Sequence, residues 1–256
     1  MAIYMDKIID FPIVILAVSF ISLLLSALAG GLLRKRRRHL QEDEVEDFGV
    51  VQAATLTLLG LLIGFTFSMA ISRYDQRKIY EEEEANAIGT EYVRADVLPA
   101  ADASRVHELL RKYLDQRVQF YITRDPLVLR QIDISTAQIQ NEMWSAVQSR
   151  AVAQPTAVTA LAVSGMNDVL NSQGYTQAAW WNRIPFEAWV LLTVIAVGCN
   201  LLIGYGTHRT SMLLTVVPLS VSLSFFLIAD IDSPRAGVIR VQPQNLITLA
   251  QSLQAH

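Results

Sequence analysis

Four runs of the sequence are apolar enough, for long enough, to cross a hydrocarbon core of roughly 30 Å, which takes about 20 helical residues. They lie at about 11–33, 50–72, 186–206 and 210–230. Nothing else in the chain constrains the fold as strongly, because backbone polar groups in lipid must be satisfied within the segment that carries them. The last two runs are separated only by Gly-Thr-His-Arg-Thr at 206–210, which predicts a tight antiparallel hairpin of helices. The first run contains Ala27-Leu28-Ala29, a triplet like a signal-peptide cleavage site. Its positive charge, Arg-Lys-Arg-Arg-Arg at 34–38, follows the apolar run instead of preceding it, so the segment is expected to be retained as a span.

Composition fits a chain that is part membrane and part aqueous. At 52% hydrophobic with a positive mean hydropathy it is too apolar for an ordinary soluble domain, and at 18% charged it is too polar to lie wholly in lipid. A formal net charge of −3 carries no nucleic-acid signature. The single cysteine, Cys199, excludes an intramolecular disulfide and any multi-cysteine metal site.

Residues 73–183 read as the one soluble unit, set between spans 2 and 3. Val106, Leu109, Leu110, Tyr113, Leu114 and Phe120 recur at helical spacings of three and four, as do Ile132, Ile139, Met143 and Val147. A third helix is expected over 155–173, with Pro155 in its first turn and an end before Gly174. No hairpin signal or alternating strand appears. The expected fold is therefore an all-α membrane protein: spans 1 and 2 in 1–72, a soluble helical bundle in 73–183, spans 3 and 4 in 184–232, and a C-terminal tail in 233–256.

Familiar catalytic patterns are absent. There is no phosphate-binding glycine loop, no Gly-x-Ser-x-Gly and no His-Glu-x-x-His. Gly204-Tyr205-Gly206 reads as a flexible helix end, and His39, His107, His208 and His256 have no partners at ligand spacing. No enzyme activity, metal or cofactor is expected.

Span 2 is the most informative segment. Gly60, Gly64, Ser68 and Ser72 recur every four residues, a stripe that lets another backbone approach, within one subunit or between subunits. Thr57, Leu61 and Phe65 form a neighbouring row, which suits lipid or core contact and equally suits stacked rings around a symmetry axis. Beyond the span the helical pattern continues with no proline, and no glycine until Gly89, through Glu81, Glu82, Glu83 and Glu84 to Glu91. Four consecutive residues point all around a helix, so one or two at most share a direction; a solvated face is the plain reading of this run. Asp230 and Asp232 close span 4, where a carboxylate must find a partner or reach the headgroups. Arg73 and Arg235 are the candidate partners at the membrane border.

The stretch Gly-Phe-Thr-Phe-Ser-Met-Ala-Ile-Ser-Arg-Tyr at 64–74 resembles the second membrane helix of the bestrophins, with matching positions at Gly64, Phe65, Ser72, Arg73 and Tyr74. Ile184-Pro185 before the third span is also similar. The segments at 83–99 and 229–241 are more specifically similar to bacterial bestrophin-like proteins of unknown function. The resemblance implies a homo-oligomeric ion channel, pentameric by expectation, whose pore neck falls on Thr57, Leu61 and Phe65. Thr57 departs from the family's apolar residue and implies a wetter ring. Glu81, Glu82, Glu83, Glu84 and Glu91 would then charge a vestibule wall or the subunit contacts; rings of carboxylate on the wall would incline it to cations, whereas the family resemblance itself points both ways. The animal proteins carry an acidic calcium clasp after the last span, whereas here Pro234 and Gly237 lead into Val-Ile-Arg, so calcium gating is not implied. The alternative is a non-conducting sensor or scaffold whose helical domain binds a partner or ligand.

Expected partners are membrane lipid, copies of the same chain and inorganic ions, in a bacterial inner membrane. The positive-inside rule puts Arg34–Arg38 and Arg209 in the cytoplasm, which turns the soluble unit outward. Likeness to bestrophins implies the opposite side, and Arg73, Arg77, Lys78 and Arg183 weaken the charge argument. The charge rule inclines the balance to an extracytoplasmic unit.

Overall fold

The computed structural model describes residues 11–36, 42–207 and 212–254. Among these the chain is all helical: α1 (Pro12–Arg36), α2 (Glu42–Ala95), α3 (Ala100–Ile122), α4 (Pro126–Ala153), α5 (Ala157–Trp181), α6 (Phe186–Gly206), a 3-10 turn (Met212–Thr215), α7 (Val216–Asp232) and α8 (Gln244–Gln254). Arg37, Arg38, His39, His208, Arg209 and His256, which entered the orientation and metal readings, lie outside the described residues.

The chain forms two compact units. One comprises residues 1–74 and 183–240, the other 75–182 and 241–256. Helix α2 belongs to both, unbroken for 54 residues.

In the first unit, α1 packs against α6 and α7. Its core gathers Leu23, Leu59, Trp189, Leu192, Phe225 and Ile228. Trp189 and Phe225 meet edge to face, ring centroids 6.0 Å apart. Three stretches are long and apolar enough to cross a membrane, within Pro12–Lys35, Phe48–Ala95 and Ala157–Gly206. Their outward faces stay apolar, with Ile13, Val18, Ile21, Leu25 and Leu32 exposed on α1 alone. In water such a belt would be an aggregation site; against lipid it costs nothing. The run expected at 210–230 forms the 3-10 turn and α7, whose 17 helical residues reach about 26 Å.

Helices α1 and α6 meet backbone to backbone. A Cβ at Gly204 would overlap the Ala27 carbonyl, and one at Gly30 would overlap the Leu201 carbonyl and lie 2.8 Å from the Tyr205 nitrogen. Ser26 Oγ donates to the Val197 carbonyl at 2.8 Å, and Arg34 donates to the Tyr205 and Gly206 carbonyls at 3.1 and 2.8 Å, satisfying orphan acceptors at the end of α6. Gly204 is thus a packing position and not the flexible helix end expected of it.

The second unit is a helical bundle in which α3 packs on α4 and α8, and α4 on α5. Val106, Leu109, Leu110, Tyr113, Leu114 and Phe120 are all buried, as their spacing predicts. Asp125 caps α4 by accepting from Leu127 N at 2.8 Å, with Pro126 in the first turn. Thr156 caps α5 in a box with Thr159, so Pro155 stands before the helix instead of in its first turn. Helix α5 also runs through Gly174 to Trp181. A mid-helix glycine costs about 1 kcal/mol; burial of Thr176, Ala179 and Trp180 beyond it outweighs that cost.

These contacts predict a contrast among glycines. Gly204→Ala and Gly30→Ala should each destabilise the protein by about 1–3 kcal/mol through overpacking. Gly198→Ala, on the same helix with nothing within 4 Å of the added carbon, should be neutral or slightly stabilising. Thermal unfolding of the purified variants in detergent measures all three.

Candidate functional site

Along the span, α2 has one packed side and one bare side. Leu59, Thr66 and Ala70 are buried, with Leu62, Ile63 and Phe67 partly so. Thr57, Gly60, Leu61, Gly64, Phe65, Ser68 and Ser72 are all exposed, at offsets of three and four that keep them on one face. Phe65 is 61% exposed and Leu61 54%. A Cβ at Gly60 or Gly64 would meet nothing within 4 Å. Among the described residues the small-residue stripe therefore packs against nothing, which corrects the intrasubunit reading of it: the residues of α2 that turn to the core are Leu59, Thr66 and Ala70 instead. Thr57 returns its hydroxyl to the Ala53 carbonyl at 2.9 Å, so its donor is already used.

Past the span, the acidic residues divide. Glu82 and Glu83 are exposed, whereas Glu81, Glu84 and Glu91 are buried. Of the five carboxylates expected to charge a vestibule wall, Glu81, Glu84 and Glu91 are therefore turned into the protein. Positions 81, 84 and 91 share the face of α2 that packs on its own bundle, because offsets of three and seven return to one side of a helix.

Each inward carboxylate meets a different element. Glu81 accepts from Asn245 Nδ2 at 2.6 Å and Leu246 N at 3.0 Å, placing negative charge at the start of α8. Glu84 is fully buried and pairs with Arg117 of α3, and it accepts from Thr176 of α5 at 3.1 Å. The Arg117 guanidinium lies over the Phe120 ring, 4.4 Å from its centroid. Burial opposes the Arg117 charge, but the adjacent Glu84 carboxylate more than offsets this and raises its pKa above the ordinary value. Burial, with the Glu84 charge beside them, also pushes the Tyr113 and Tyr121 phenols well up, so both stay neutral. Glu91 sits against α5 with no hydrogen-bond partner on either oxygen.

At the other end of the first unit, Asp232 gathers three groups. Arg73 Nη1 lies 3.5 Å and Arg183 Nε 3.7 Å from its carboxylate, and Ile184 N donates to it at 3.0–3.2 Å. Ile184 is the last residue able to donate before Pro185, so Asp232 satisfies a donor at the mouth of α6. Asp230 accepts from Val238 N and Ile239 N, both at 2.8 Å, and folds the chain after α7 back on itself. A Cβ at Gly237 would overlap the Asp230 carbonyl in that turn. Asp230 and Asp232 are both buried in protein, with Arg73 brought to Asp232. Arg235 follows α7, within the same returning segment.

Four residues contribute contacts that the sequence did not reveal. Arg77 is buried and donates to the Ala179 and Asn182 carbonyls at 3.2 and 3.3 Å, covering the end of α5. Arg117 and Gly165 answer Glu84 and Glu91 from other helices. His107, which has no partner at ligand spacing in the sequence, stacks on Tyr92 with centroids 4.0 Å apart and contacts the Tyr92 carbonyl at 2.8 Å. Among the described residues no group of three His, Cys, Asp or Glu side chains forms a metal-ligand set.

Comparison with known proteins places this architecture. The family model for the Bestrophin-like domain matches residues 13–246. The chain belongs to the bestrophin-like family. Its fold is that of solved bacterial bestrophin homologs. A single-substitution variant of the Klebsiella pneumoniae homolog superposes with a TM-score of 0.64 at 15% identity, covering 95% of this chain and 98% of the other. Another structure of that homolog gives 0.65 at 16% identity, over 95% and 97%. A variant described only as a membrane protein gives 0.66 at 15% identity, over 95% and 97%. No curated protein matches this bestrophin-like chain in sequence.

Removing one member of the buried Glu84–Arg117 pair leaves an uncompensated charge. Arg117→Met should cost about 3–5 kcal/mol, and adding Glu84→Leu should recover most of that loss. A double-mutant cycle on thermal or denaturant unfolding reads the coupling directly.

Proposed function

We propose that the protein is a subunit of an oligomeric, bestrophin-type ion channel whose neck is formed by Thr57, Leu61 and Phe65 of α2. The observation that carries this reading is the bare face of α2. Two large apolar side chains stand out from a row of glycines and serines that no other described part of the chain covers. Repeated around an axis, Leu61 and Phe65 make stacked apolar rings, which close a pore by dewetting. Gly60, Gly64, Ser68 and Ser72 beside them let neighbouring copies of α2 approach closely. Membership of the bestrophin-like family, with its resemblance to the bestrophin channels, supports the same conclusion. The resemblance to bestrophins adds the expectation of five subunits.

In this reading the chain crosses the inner membrane four times. The fourth crossing is made by the 3-10 turn and α7 together, whose combined rise of about 34 Å matches the hydrocarbon core. Charge distribution turns the helical bundle, as a soluble unit, away from the cytoplasm. The exposed carboxylates of Glu82 and Glu83 lie on the face of α2 that continues from the neck, and a ring of each would concentrate cations.

Two measurements bear on this. Phe65→Ala, by opening the apolar ring, should raise basal ion flux in proteoliposomes several-fold; unchanged flux from a correctly assembled variant would remove Phe65 from the neck. Reversal potentials under a salt gradient should show cation preference that weakens when Glu82 and Glu83 are changed to glutamine and when salt is raised. A chloride-selective potential, indifferent to both changes, would sink the cation assignment.

A further inference from the structure

Glu91 belongs neither to the proposed neck nor to the exposed face that continues from it. Its side chain is 0% exposed, seated between α2 and α5. Neither carboxyl oxygen has a hydrogen-bond partner. The room for it comes from Gly165 of α5, where a Cβ would overlap Glu91 Oε2 and lie 2.6 Å from Arg94 Nη1. One turn along α2, Arg94 Nη1 stands 3.8 Å from Asp168 Oδ2, one turn along α5 from Gly165. That pair is more open, with side chains 30% and 60% exposed. Other packed elements offer little competition: α3 brings His107 and Arg111, both engaged at Tyr92, and α8 carries no titratable side chain.

A carboxylate held this way, without donors and out of water, is far costlier than a neutral acid. The only cation on its own helix within a turn is already turned toward Asp168. We propose that Glu91 is a proton-binding site: the acid is held neutral in its seat against Gly165, and on losing its proton to solvent it draws Arg94 away from Asp168. In that step the carboxyl O–H bond breaks and the proton passes to water or hydroxide. The new negative charge is then balanced by the guanidinium.

The titration falls in a range that cells meet. Burial pushes the Glu91 carboxyl up to about 8, with Arg94 opposing and Asp168 adding to the rise. The sign follows from linkage. Between the ordinary carboxyl pKa and about 8 the folded protein holds a proton that the unfolded chain has lost. Stability contributed at this site is therefore greatest at acid pH, falls as pH rises through that window, and levels off above it. Alkaline pH loosens the Arg94–Asp168 contact between α2 and α5. The inference does not depend on conduction.

The test uses the full-length purified protein in lipid nanodiscs. Infrared difference spectroscopy across pH 5–10 should show a protonated carboxyl band disappearing with a midpoint near 8, lost in Glu91→Gln, whose amide mimics the neutral acid. Unfolding temperature should fall across the same window in the wild type and lose that component in Glu91→Gln. Asp168→Asn frees Arg94 and should shift the midpoint to lower pH, whereas Arg94→Gln should shift it higher. A wild-type band that is absent at pH 6, or that survives in Glu91→Gln, overturns the proposal. If Glu91→Gln does not fold, the exposed Asp168→Asn change decides: an unmoved midpoint overturns the Arg94 exchange and the proton site with it.

Discussion

The carboxylates that α2 turns inward organise the second unit. Glu84 binds Arg117 of α3 and Thr176 of α5, Glu81 holds the start of α8, and Glu91 presses into the space left by Gly165. A buried charge is tolerable only with partners in good geometry, so Glu84 and Glu81 dictate where α3, α5 and α8 must lie, whereas Glu91, without such partners, fills the room that α5 leaves. Apolar packing alone would allow those helices to slide; a guanidinium that must reach one carboxylate does not. The buried core of Val106, Leu110 and Phe120 then fills the space that these polar contacts define.

The same helix satisfies an opposite requirement on its other side. In the first unit, its outward face is made of glycine and serine with two large apolar residues among them. Glycine in a helix interior is unfavourable by about 1 kcal/mol relative to alanine, and among the described residues no contact offsets that at Gly60 or Gly64. At Gly30, Gly165, Gly204 and Gly237 the offsetting contact is visible in the chain itself. That difference separates glycines used for internal packing from glycines that meet nothing among the described residues.

The helical class and most helix positions were legible because burial in a bundle imposes a 3.6-residue period, as in Val106 to Phe120. Pro155 marked the start of α5, which begins at Ala157. Gly174 misled because local propensity was overruled by burial of Trp180 further along. The acidic run misled for a related reason. Sequence reports charge, and charge usually means water, but the partners of Glu81, Glu84 and Glu91 lie 33 to 165 residues away or, for Glu91, are absent. The packing role of Gly204 was equally hidden, since it depends on Ala27 in a different span. One signal was available: a helix carrying acids at offsets of three and seven has a one-sided acidic stripe, and Arg117 stands alone among the apolar positions of α3.

The backbone contact between α1 and α6 has a consequence of its own. Where Gly30 and Gly204 bring main chain against main chain, few side chains are immobilised, so little rotamer freedom is lost when the two helices meet. Dispersion and weak Cα–H to carbonyl contacts supply the attraction. Neither depends on expelling water, which is absent around membrane spans in any case. An association with so small an entropic term weakens little with heating. This seam is therefore where the first unit should come apart last, after contacts built from longer and floppier side chains have given way.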